Sequence, residues 1–228
     1  MKRNGIRTLA AGTVCLAAFA VFSLLLQTVD VQPAGQNGTD IGFASLNLWF
    51  HRMTGVSMTL YVITDWLGLV PLLVCMCFGT AGLMQWIRRK QLSRVDRELL
   101  ILGGYYVCVI LCYLLFERIP VNYRPILVDG VMEVSYPSST TLLVLCVMPT
   151  CTYDGKHSGR LLLVRRGIGI AAGMFTVFTV TARLISGVHW LTDIVGAVLL
   201  GTGLYLIYRA AVMLCCPGEA DRSGYGIS

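Results

Sequence analysis

Four side chains in the second half of this chain have the types and spacing to handle a phosphate. His189 and Asp193 stand four residues apart at the start of an apolar run, so they share one face of a predicted helix. A carboxylate so placed accepts the N–H of one ring nitrogen, fixes the tautomer and leaves the other nitrogen free to attack. Asp193 would also stabilise the cation that forms. Arg183 precedes His189 by six residues, and Arg124 stands in Asn122-Tyr123-Arg124-Pro125. The guanidinium fork suits phosphate because it pairs with two oxygens at once. Pro137-Ser138-Ser139-Thr140 opens another apolar run. Proline fits a first helical turn, and the free amides of that turn form an anion site. Each feature alone is ordinary: a structural His–Asp pair, arginines reaching for head groups, a plain helix start. Their convergence reads as a phosphate pocket with a nucleophilic histidine. His51, His157 and His189 fall in three separate loops, so no metal cluster competes with that reading.

The elements that must position these residues are membrane spans. The chain has 228 residues, 56% hydrophobic and 13% charged, against about 45–50% and about 25% in a soluble domain. Too little polar surface remains to cover a water-exposed globule. An ordinary cytosolic domain, a disordered chain and a fibrous protein are excluded. A helix needs about 20 mostly apolar residues to cross the hydrocarbon. The candidates are Thr8–Val29, Gly55–Trp86, Leu99–Phe116, Ser138–Tyr153, Gly167–Ser186 and Trp190–Leu214. The expected fold is an all-α integral membrane bundle of six transmembrane helices. The first run reads as an anchor and not a cleaved signal, because its apolar stretch exceeds the usual ~7–15 residues. Three units follow: 1–54 as anchor plus outward loop, 55–216 as membrane core, and 217–228 as a cytoplasmic tail.

Cytoplasmic loops retain Lys and Arg. Fourteen of the 18 basic residues (Lys2, Arg3, Arg7, Arg88, Arg89, Lys90, Arg94, Arg97, Lys156, Arg160, Arg165, Arg166, Arg209 and Arg222) fall on one side. Both termini are therefore expected in the cytoplasm. Arg52, Arg118, Arg124 and Arg183 lie on the opposite, outward side, where the candidate pocket also falls. The net charge of +6 is thus an orientation signal and implies no nucleic-acid partner. Ile41–Met53 reads as an interfacial amphipathic helix, and Gly169 and Gly173 as a G-x-x-x-G spacing that allows close helix contact. Asp65 reads as a bundle contact hydrogen-bonded to Ser or Thr neighbours, His51 and Arg52 as interface anchors, and the tryptophans, Trp190 among them, as anchors at the membrane surface. The nine cysteines read as packing residues.

Arg183-x5-His189-x3-Asp193, preceded by Arg124-Pro125 and Pro137-Ser138, resembles the type 2 phosphatidic acid phosphatase superfamily of lipid phosphate phosphatases. That family's pattern is Lys-x6-Arg-Pro, Pro-Ser-Gly-His and Ser-Arg-x5-His-x3-Asp, and the resemblance runs from about the second span to the last. It implies a bacterial plasma-membrane hydrolase without a cofactor, acting on a phospholipid or polyprenyl phosphate at the outward face through a phosphohistidine. His189 would be the nucleophile and Asp193 its partner, with Arg124, Arg183, Ser138 and Ser139 binding phosphate. Four positions depart from the pattern: Glu117 stands for the lysine, Ser139-Thr140 for Gly-His, and Ala182 for the serine. The histidine missing at Thr140 would protonate the leaving group in such enzymes. Its work would pass to Glu117, Thr140 or His51, or the substrate is a diphosphate that needs less protonation. The alternative is a silent or slow lipid-phosphate binder or transporter that keeps the pocket.

Overall fold

The computed structural model describes residues 2–152 and 162–216. Tyr153, Lys156, His157, Arg160 and the 217–228 tail with Arg222 lie outside the described residues. The helices are α1 (Lys2–Leu25), α2 (Ala44–Thr54), α3 (Met58–Leu67), α4 (Leu69–Arg89), α5 (Arg97–Arg118), α6 (Ser139–Val147), α7 (Leu162–Ile185) and α8 (Leu191–Cys215). Large apolar side chains such as Trp66, Leu163, Met174 and Val177 are exposed around the bundle. Water would not tolerate that coat; hydrocarbon does. The chain is an all-helical membrane bundle.

Two expected spans differ in the structure, each because of a proline. The run from Gly55 to Trp86 divides at Gly68 into α3 and α4. Pro71, in the first turn of α4, has no N–H to give the Leu67 carbonyl and its ring crowds that carbonyl. The fourth run is shorter than a span: α6 has nine residues and tightens into a 3-10 turn over Met148–Thr152, around Pro149. Among the described residues five helical stretches, counting α3 and α4 together, are long and apolar enough to cross a membrane; the sixth is short.

Shortness suits where α6 lies. It packs against α4, α5, α7 and α8, with Leu142, Val144, Cys146 and Val147 fully enclosed. Leu102, Val109, Ala197 and Leu200 complete the surrounding core. The far end of this helix is tied to α5, where the Tyr105 hydroxyl donates to the Cys146 carbonyl at 3.0 Å and the Tyr106 hydroxyl meets Thr150 Oγ1 at 2.6 Å.

Helix α1 runs antiparallel along α8 through a seam of small residues. A Cβ on Gly12 would come within 3.1 Å of the Gly203 carbonyl, and one on Gly203 within 2.7 Å of Leu16. Close approach maximises dispersion contact where no hydrophobic force drives association. The expected Gly169/Gly173 contact is corrected here: a Cβ on Gly173 would meet nothing within 4 Å, and one on Gly169 would meet only the Thr152 methyl. At the end of this seam Tyr136 stacks on Phe19, bonds Ser23 Oγ at 2.7 Å, and lies so close to Gly196 that no Cβ fits between them.

Gly203→Leu should over-pack the α1–α8 seam and cost about 1–3 kcal/mol. Gly173→Leu should stay within about 0.5 kcal/mol of the parent. Thermal unfolding in detergent distinguishes the two, and equal losses would contradict the seam.

Candidate active site

The ends of α1, α5 and α7, the starts of α3, α6 and α8, and the helix α2 meet at one end of the bundle. The nucleophile candidate sits there on the connection 186–190 between α7 and α8, not on α8 as spacing alone implied. This connection is pinned along its length. The Ser57 amide donates to the Ser186 carbonyl at 2.9 Å, and His51 Nε2 lies 3.1 Å from the Gly187 carbonyl. Gly187 has a φ of +69° and runs so close to Gly55 that an added Cβ would lie 1.9 Å from the Gly55 carbonyl. Only glycine fits both demands. Trp190 is buried and donates its indole N–H to the Tyr123 carbonyl at 2.7 Å. It is a structural tie and not a membrane-surface anchor. His51 likewise props the connection from α2, and its ring lies against Trp190.

His189 and Asp193 do come together. Nδ1 is 3.4 Å from Asp193 Oδ2, and that same oxygen accepts the Trp190 amide at 2.9 Å. The carboxylate thereby faces Nδ1 and turns Nε2 away from it, with neither ring nitrogen hydrogen-bonded among the described residues. Asn122 and Ser135 flank Asp193. Asn47 of α2, fully buried, accepts the Thr192 amide at 3.2 Å and donates to Thr192 Oγ1 at 2.9 Å, which caps α8. Burial holds the His189 pKa well below its usual value, and the Arg183 and Arg124 charges push it the same way; the Ser135 backbone acts in the opposite sense. His189 is therefore neutral at physiological pH.

Both arginines are buried beside it. Arg183, only 1% exposed, donates to Thr64 Oγ1 at 3.2 Å and lies 3.8 Å from Asp65 Oδ1. The partner of Asp65 is thus an arginine, not a Ser or Thr neighbour. Arg124 is carried by a hairpin whose Tyr123 and Val134 pair across it; its Nε lies 3.0 Å from Glu133 Oε2, and its amide donates to the Glu133 carbonyl. The Gln36 side chain fastens the hairpin by donating to the Pro125 carbonyl. Arg124 Nη1, Arg183 Nε and His189 Nε2 are all enclosed and meet no hydrogen-bond partner among the described residues.

A cavity of about 350 Å³ opens over Arg124 and His189, lined also by Ser139, Glu117, Arg118 and Glu133 among others; Arg183 does not line it. Ser139 thus reaches the cavity. Ser138 does not line it; its amide bonds the Asp193 carbonyl at 3.2 Å and its hydroxyl bonds Thr141. Ser138 instead locks the start of α6 to the His189–Asp193 unit. Of the three substitute proton donors, Glu117 alone borders the cavity; Thr140 and His51 do not. Glu117 is exposed at the rim and accepts the Tyr113 hydroxyl at 2.5 Å. Among the described residues no cluster of three metal-ligating side chains forms.

Tyr61, Glu133 and Asn47 are site neighbours that the spacing argument missed. Tyr61 and Asp65 stand four apart, as do His51 and Gly55, but only the fold brings them to the arginines and to the 186–190 connection.

No family model matches the chain. It is 28% identical to phosphatidylglycerophosphatase B of Bacillus subtilis (strain 168) over 172 residues, 75% of this chain and 70% of that protein. Its fold also matches the crystal structure of a transmembrane PAP2-type phosphatidylglycerolphosphate phosphatase from Bacillus subtilis. That match has a TM-score of 0.57 and 19% identity, and covers 87% of this chain and 94% of the other. By sequence similarity and by shared bundle, this chain resembles the type 2 phosphatidic acid phosphatases.

Proposed function

We propose that this protein is a bacterial membrane phosphatase that hydrolyses a lipid phosphate through a phosphohistidine on His189, at the extracytoplasmic face. The observation that carries the reading is the pairing of Arg124 Nη1 and His189 Nε2, buried and unpartnered on one cavity, with Arg183 Nε likewise unpartnered and its guanidinium against the same Tyr61 ring as that of Arg124. Buried donors of this kind are costly unless a ligand completes them. Two guanidinium groups and a neutral ring nitrogen are a phosphoryl group's complement. The name of the Bacillus subtilis relative points to phosphatidylglycerol phosphate as a substrate; phosphatidate or a polyprenyl diphosphate presents the same reacting group. The basic residues at the ends of α4 and the starts of α1 and α5 lie at the other end of the bundle, which supports cytoplasmic termini and an outward site.

In this scheme the Nε2 lone pair attacks phosphorus while the bond to the leaving oxygen breaks. Asp193 holds Nδ1–H and balances the charge that develops on the ring. Arg124, Arg183 and the first-turn amides of α6 near Ser139 stabilise the phosphoryl oxygens. Water then cleaves the N–P bond, releasing phosphate and restoring neutral His189. Glu117, on the cavity wall, passes a proton to the leaving oxygen and regains one from the attacking water. The reading as a silent binder draws on Thr140, whose hydroxyl is too weak an acid to replace a histidine.

His189→Ala should abolish phosphate release from phosphatidylglycerol phosphate, and a substrate with a good leaving group should leave an acid-labile label that depends on His189. Lipid binding without release or label would favour the binder. Glu117→Gln should slow hydrolysis of an alkyl phosphate by about 10²–10⁴-fold and spare an aryl phosphate; equal effects on both would exclude it as the acid.

Because burial lowers the His189 pKa, folding stability is full above the unfolded value near 6.5 and falls as pH drops below it, where only the unfolded chain takes up the proton. Nitrogen-15 imidazole spectra should show His189 neutral at pH 6. A signal titrating near 6.5 would contradict this electrostatic account.

A further inference from the structure

The mechanism above uses both arginines but not the ring that lies beside them. Tyr61 on α3 has the Arg183 Cζ 4.9 Å and the Arg124 Cζ 5.6 Å from its ring centroid. Two guanidinium groups thus share one aromatic side chain inside a site where solvent cannot screen them. Like charges so close repel, and the Arg124 charge indeed acts unfavourably on Arg183. The negative face of an aromatic ring attracts a cation, most strongly when that cation is desolvated. Arg183 is almost wholly enclosed. Its other partners, Thr64 and Asp65, come from the same helix, three and four residues after Tyr61, so all three stand on one face of α3. Arg124 has Glu133 on its own hairpin as a second counter-group.

We infer that Tyr61 is a positioning residue of the phosphate site: its ring is the common seat that keeps Arg124 and Arg183 together, ready for one phosphoryl group. The inference rests on the phosphatase reading and extends it to a residue outside the three motifs. Glu133 and Asp65 each form an ion pair with one arginine, though the Glu133 charge is also felt at Arg183, whereas the Tyr61 ring lies in direct contact range of both. The ring holds the two guanidinium groups at one spacing before a phosphate enters, so binding need not bring them together against their repulsion. It therefore acts on affinity. Without it the two guanidinium groups separate, and anion binding must first bring them back.

The test compares Tyr61→Phe, Tyr61→Leu and Tyr61→Met in the full chain. The readouts are hydrolysis of phosphatidylglycerol phosphate in mixed micelles, competitive inhibition by inorganic phosphate, and thermal unfolding. Tyr61→Phe keeps the ring and should match the parent in KM and in the inhibition constant. Tyr61→Leu and Tyr61→Met should raise both constants about tenfold, with kcat changed less than threefold. Whichever of the two aliphatic variants unfolds nearer the parent temperature decides the comparison. An unchanged inhibition constant in that variant, or an equal loss in Tyr61→Phe, would overturn the inference while the parent's hydrolysis upheld the phosphatase reading. Absence of hydrolysis by the parent protein would overturn both.

Discussion

A cation inside a membrane protein must be compensated where it stands, and the burial of Arg183 imposes that condition on this fold. An uncompensated guanidinium at 1% exposure would be untenable in such surroundings. The compensation comes from α3, through Thr64, Asp65 and the Tyr61 ring. Helix α3 must therefore sit against the end of α7, and it does. From that docking the rest follows: Ser57, just before α3, reaches the Ser186 carbonyl, Gly55 presses on Gly187, and the connection that bears His189 is held in one course. A single buried charge thereby orders four segments.

The electrostatics of the pocket are mixed where a purely basic one might be expected. Glu117, Arg118, Arg124 and Glu133 all border the cavity. Glu133 is committed to Arg124 and Glu117 to the Tyr113 hydroxyl, so neither carboxylate projects an isolated negative charge at an incoming phosphate. His189 adds none either, being held neutral. The attraction for an anion is therefore short-ranged and directional, built from enclosed N–H groups and not from a broad positive field.

Much of the site was legible because its residues keep motif spacing. Arg183, His189 and Asp193 are encoded within eleven consecutive positions, Arg124 directly precedes Pro125, and Ser139 closely follows Pro137. What spacing could not carry is the set of partners contributed from elsewhere. Tyr61 and Asp65 look like an ordinary aromatic and a stray acid in an apolar run; their meaning depends on where α7 lies. Asn47 reads as a polar residue in an interfacial helix until Thr192 is placed beside it. Of the spans, those without internal proline emerged within a few residues of expectation. Hydropathy measures apolar content, and Pro71 and Pro149 change geometry without lowering it, so the division at Gly68 and the short α6 were hidden. The α1–α8 glycine seam was hidden for a related reason: a spacing such as that of Gly169 and Gly173 marks a surface that can be approached closely, not one that is.

The break at Gly68 separates two mechanical tasks that a continuous helix would have to share. Below it, α4 is a lipid-facing rod that must accommodate whatever hydrocarbon thickness surrounds it, by leaning or shifting. Above it, α3 holds the arginines from Thr64, Asp65 and the Tyr61 ring. A joint between the two, with one backbone bond removed by Pro71, lets the rod lean without levering that helix off Arg183. The chemistry can then keep its geometry in bilayers of differing depth.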